Sequence, residues 1–188
     1  MYNTRSYKVS KNYIRFYDEI KNIERSVENA YRSLNIDLSE LDNKYKRVNQ
    51  ESSNEEDVLI YLQDYHEPKR YEIYERLNSE LSGILKNLYT IFESTLTCIL
   101  SNKNIRRARR EEASYQPYLE YVENNLNINL SDDFYETINN FRVMRNRFTH
   151  EGIDLTTSDD EVKEMIHSMS SEIFFFIDAV MSSLSRNN

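Results

Sequence analysis

The chain has 188 residues, of which two are glycine, two are proline and one is cysteine. So few turn residues exclude a β-sandwich, a doubly wound α/β fold and a glycine-rich phosphate loop, and a lone cysteine excludes a disulfide framework and a CxxC zinc site. A net charge of −8 excludes a general nucleic-acid coat protein, and the expected class is all-α, a helical bundle with polar connections.

Ser10 to Leu34 is predicted as a first helix, because Tyr13, Tyr17, Ile20, Val27, Tyr31 and Leu34 recur at spacings of three, four and seven. A second helix is predicted over Leu38 to Val48. The polar stretch Gln50 to Asp57 has little to bury and reads as a loop. Pro68 reads as a first-turn proline. It opens a long helix to about Asn102, with Leu77, Leu81, Ile84, Leu88, Ile91, Leu96 and Ile99 in helical register. Cys98 falls within this apolar run and is expected to be a buried free thiol.

Asn102 to Glu112 is a charged connector, and Pro117 opens a short helix to Leu126. Ser131 is placed to cap the next helix, with Asp132 and Asp133 in its first turn, where the helix dipole favours anions. Gly152 is the expected stop. Ser158 and Glu161 form a capping box for a last helix to about Leu184. The expected division is an N-terminal helical extension, residues 1–66, and a helical domain, residues 67–188, built on a long central helix.

No apolar run follows Met1 to Arg5, so no secretory leader is expected. The run Ile173 to Ile177 is too short to span a bilayer. A cytoplasmic location and no membrane association follow as expectations. Fifteen tyrosines and no tryptophan suit helix contacts or a subunit interface, although a compositional habit explains the tyrosines equally well. The run Phe174 to Phe176 is expected in the core or at such an interface. Histidines stand at 66, 150 and 167, apart from any carboxylate cluster, so no metal site and no cofactor is expected.

The helix before Gly152 breaks its own pattern. With Phe141 at zero and about 100° per residue, Phe134, Ile138, Met144 and Phe148 fall within about 60° of it and form the buried stripe. Arg145 falls inside that stripe, at about 40°. A guanidinium in a core register needs an anion, and such breaks mark functional sites. His150 follows five residues later. On a strict helix it lies about 140° from Arg145, so either the helix loosens there or a second chain completes the site.

The stretch Phe141 to Gly152 (FRVMRNRFTHEG) resembles the signature of the HEPN superfamily. That signature is an Arg, commonly followed by Asn, with a His a few residues on. The element Tyr89-Thr90-Ile91-Phe92-Glu93 resembles the aromatic-plus-Glu element of the ribonuclease branch. The resemblance covers about residues 70–182. It implies a HEPN-type bundle and a metal-independent endoribonuclease that leaves 2′,3′-cyclic phosphate and 5′-OH ends. It also implies a homodimer with a composite cleft, and a toxin or antiviral defence role with a possible antitoxin or regulatory partner. Gly152 stands where one HEPN branch carries a tyrosine that its antitoxin modifies, which departs from that pairing.

Within this reading Arg145 binds phosphate, His150 transfers protons and Asn146 orients the sugar or His150. Glu93, Arg142 and Arg147 support them. Arg106, Arg107, Arg109 and Arg110 track the RNA backbone, although a charge run also suits a solvated face. Residues 102–150 carry eight Lys/Arg against seven Asp/Glu, so the acidic excess lies elsewhere. The alternatives are a non-catalytic HEPN module that binds a nucleotide or a protein, and a helical interaction protein. In those, Arg145 is a buried salt-bridge residue, His150 caps a helix end, and Glu93 is a solvated helix edge.

Overall fold

In a computed structural model, residues 4–101, 115–151 and 159–186 are described, with side chains over 14–97, 115–144 and 162–183. All regular structure among these residues is helical: α1 (Thr4–Glu51), α2 (Glu55–Tyr61), a π turn (Leu62–His66), α3 (Glu67–Ser101), α4 (Gln116–Leu126), α5 (Asp132–Glu151) and α6 (Asp159–Arg186). The chain is thus an all-α helical bundle. None of the described helices is long and apolar enough to cross a membrane.

The first 51 residues differ from expectation. One helix runs from Thr4 to Glu51 in place of two. Asn35, Ile36 and Asp37 include no glycine or proline, and Leu34, Leu38 and Leu41 carry the apolar register straight through. Leu34 and Leu41 are buried, which rewards the unbroken helix. The expected loop over 50–57 shrinks to Ser52, Ser53 and Asn54, where the Asn54 side chain accepts from the Glu56 N–H and caps α2.

Pro68 stands in the first turn of α3, as expected, and helical backbone precedes it. Helical backbone continues from Glu55 to Ser101, and the turn before the proline widens, with the Glu67 N–H bonded to the Leu62 carbonyl. Proline has no N–H and its ring collides with the carbonyl four residues back, so a wider turn relieves both. His66 closes this turn. Its ring is buried, Nε2 lies 3.3 Å from Asp42 Oδ1, and Tyr45 packs on it at 5.2 Å.

Side-chain pairs set the helix directions. His66 meets Asp42 and Arg76 meets Asp37, so α3 runs antiparallel to α1. Lys163 lies over Tyr31, His167 meets Glu24 and Phe174 packs on Tyr17, so α6 is antiparallel to α1 as well. Phe134 shares Phe176 with Phe92, while Phe141 packs on Tyr89, so α5 runs against α3. Leu81, Leu85, Leu88, Ile91 and Phe92 of α3 are at most 2% exposed, which makes α3 the central helix. Phe16, Ile20, Ile23, Val27, Ala30, Leu34 and Leu41 of α1 belong to the same apolar cluster, so the N-terminal extension shares its core with the rest. Phe176 is buried, whereas its neighbour Phe175 is 64% exposed.

The sequence signals at the short helices hold. Pro117 sits in the first turn of α4, and Asn127 ends that helix in the left-handed region at φ 49°. The Ser131 hydroxyl accepts from the Phe134 N–H at 3.1 Å and caps α5. Glu123 ties the two helices together. Its carboxylate accepts from the Leu130 N–H at 2.6 Å and from the Tyr135 hydroxyl at 2.7 Å. Cys98 and Ile99 have side chains outside the described ones. Gly152, Ser158 and the charged connector 102–112 lie outside the described residues, and so does the Glu161 side chain.

Leu88→Ala is expected to cost about 2–5 kcal/mol, the usual penalty for a buried leucine, read by urea denaturation; a loss under about 1 kcal/mol would remove α3 from the centre of the core. Burial, and then the hydrogen bond to Glu123, pushes the Tyr135 phenol up from its ordinary value. The folded chain therefore favours the neutral phenol. That contribution is complete below the unfolded value of about 10 and fades as pH rises beyond it. Tyr135→Phe is expected to cost about 1 kcal/mol at neutral pH, with the gap to wild type closing above about pH 10. A gap that widens there would contradict this.

Candidate active site

The site is built on α5 and the face of α3 that packs against it. Phe134, Ile138 and Phe141 are buried and Met144 is half-buried, so the apolar stripe of α5 lies against the core as its spacing requires. Phe141 meets Tyr89 edge to face at 5.5 Å. Arg145 occupies the same register one turn beyond Phe141.

The helix does not loosen before His150, since α5 runs unbroken to Glu151. Arg145 and His150 therefore keep their separation of about 140° around the helix axis. Arg145, Asn146, Arg147 and His150 all stand in the last two turns of α5, with side chains outside the described ones. Arg106, Arg107, Arg109 and Arg110 lie outside the described residues.

Arg142 is half-buried. Its Nη2 donates to Asn139 Oδ1 at 3.3 Å, and its buried Nε makes no hydrogen bond among the described residues. This guanidinium stands about one and a half turns before Arg147 on α5.

Glu93 sits at the α3–α4 contact, half-buried, where it accepts from the Tyr115 hydroxyl at 2.7 Å. Tyr115 also hydrogen-bonds the Tyr89 hydroxyl and packs edge to face on Phe92 at 5.4 Å. The Tyr89-to-Glu93 element thus forms one polar-tipped aromatic cluster, and Phe141 of α5 closes one side of it. Sequence reasoning missed Tyr115. It stands just ahead of Pro117, 22 residues from Glu93, and no spacing rule links the two. A solvated edge does not describe Glu93.

Among the described residues no three His, Cys, Asp or Glu side chains are grouped to hold a metal ion.

Tyr115→Phe removes the donor to Glu93 and keeps the ring packing. It is expected to cost about 1 kcal/mol in chemical denaturation. A neutral result would mean that the cluster is held by its rings alone.

Set beside protein-family models, curated proteins and solved structures, the chain matches none.

Proposed function

We propose that this chain is an endoribonuclease of HEPN type that cleaves RNA without a metal ion. The observation that carries the reading is the string Arg145-Asn146-x-x-x-His150, with its arginine in the buried register of α5. The Tyr89–Glu93 element, packed on α5 through Phe141, supports it. So does the setting of the string at the end of a helix that leads to the long α6.

RNA carries its own nucleophile. The 2′-oxygen attacks the adjacent phosphorus, the bond from phosphorus to the 5′-oxygen breaks, and a 2′,3′-cyclic phosphate and a 5′-OH result. One proton leaves the 2′-OH and one reaches the departing 5′-oxygen. Imidazole titrates near neutrality, so His150 suits either transfer. Arg145 suits the phosphate, with two parallel N–H donors for its oxygens and a fixed charge for the transition state. Asn146 orients the ribose or the imidazole, and Arg142 and Arg147 add positive charge beside the path.

One α5 turns Arg145 and His150 away from a common point by about 140°. A cleft between two copies of α5 brings the arginine of one to the histidine of the other and supplies two imidazoles for the two proton transfers. The proposed assembly is therefore a homodimer. A toxin or defence role, with a partner that silences or activates the enzyme, completes the reading.

Purified protein incubated with labelled RNA in EDTA is expected to leave cyclic phosphate ends. Arg145→Ala and His150→Ala are each expected to lower the rate about a hundred- to ten-thousand-fold. Cleavage that survives both substitutions would overturn the assignment.

A further inference from the structure

Resting on the ribonuclease reading, we propose that the trough between α1 and α3 holds the phosphates of a single-stranded polynucleotide, and so extends the grip on RNA beyond the cleavage site. The trough encloses about 600 Å³. Lys44 and Arg47 of α1 face Lys69 and Arg76 of α3 across it. Asp37 and Glu40 are the two carboxylates on its walls and Glu72 pairs with Lys69, so four cations meet three carboxylates in a chain whose net charge is −8.

Each cation is available to an anion. Arg47 is exposed and makes no hydrogen bond or ion pair among the described residues. Lys69 pairs with Glu72 and Arg76 with Asp37, through side chains that are 48% and 49% exposed. Exposed pairs of this kind add little stability, so exchange for phosphate costs little.

The π turn supplies an aromatic. It buries His66 against Asp42 and leaves the neighbouring Tyr65 on the trough wall, 39% exposed. The Lys44 ammonium lies 4.1 Å from the Tyr65 ring centre and donates to its hydroxyl at 3.0 Å. A basic groove with a tyrosine face is the combination on which single strands bind, through phosphate contacts and base stacking.

The shape favours a strand over a small nucleotide. Lys69 and Arg76 are seven residues apart, about 10 Å along α3. The trough is about half open to solvent, whereas a small-molecule pocket encloses most of its ligand. Its position fits too. Lys163, near the start of α6, meets Tyr31 on α1, and Asp37 of the trough lies less than two turns further on. The trough therefore begins near the end of the bundle at which α6 starts.

The test is binding of a labelled oligodeoxyuridylate, which lacks the 2′-OH and so reads binding alone, followed by fluorescence anisotropy from low to high salt. Arg47→Ala and Lys69→Ala are each expected to weaken binding about fivefold at 0.1 M salt and to lower the salt slope by about 0.7, the share of one phosphate on a single strand. Tyr65→Ala is expected to weaken binding with the slope kept. Arg25→Ala, exposed on α1 about 18 Å from the first trough residue, is the control and should change nothing. Equal losses in Arg25→Ala and Arg47→Ala, or no oligonucleotide bound by the wild type, would overturn the proposal. RNA cleavage with unaltered binding in the trough variants would sink the trough and leave the ribonuclease standing. Binding lost in those variants from a protein that cleaves no RNA would do the reverse.

Discussion

Burial of α3 on several sides at once is the constraint on which the structure rests. Leu81, Leu85, Leu88, Ile91 and Phe92 are sealed by α1, α5 and α6, and each such side chain contributes about 1.5–3 kcal/mol by leaving water. Once α3 is central, α1 and α6 must both lie along it, and α3 and α6 both run antiparallel to α1 through ion pairs and aromatic contacts. The stacked Phe134 and Phe176 then fix α5 against α6. Aromatic contacts along α3 therefore position the one helix that carries the candidate catalytic string.

Helices that bury a stripe were legible in the sequence. The period of Leu77, Leu81, Leu88 and Ile91 predicts α3, and all four are buried. Ser131 and Pro117 act at the ends that their chemistry predicts. The continuity of α1 was less legible, because a polar Asn-Ile-Asp step resembles a break until Leu34 and Leu41 are seen in one core. The π turn was not legible at all. It depends on His66 reaching Asp42, a contact 24 residues away in sequence, and hydrophobic periodicity carries no trace of it. Glu93 and Tyr115 are joined by the same kind of long-range contact.

For the site, the sequence located Arg145 by its conflict with the apolar stripe, and α5 keeps that register. Phe141 packs in the core on Tyr89, and position 145 follows one turn later on the same face of α5. In the proposed reading a phosphodiester is the anion that a guanidinium in this register needs. The unbroken helix to Glu151 then makes the second copy of α5 a chemical requirement of the reading, because neither helix alone gathers both groups.

Mixing two inactive variants tests that claim most directly. A cleft built from Arg145 of one copy and His150 of the other predicts that Arg145→Ala and His150→Ala proteins, unfolded together and refolded as a mixture, regain cleavage. The single cleft of the heterodimer keeps one native Arg145 facing one native His150, so part of the wild-type rate returns, and one of the two proton transfers goes without its imidazole. A mixture that forms heterodimers and stays as inactive as its components would contradict a site shared between two α5 helices.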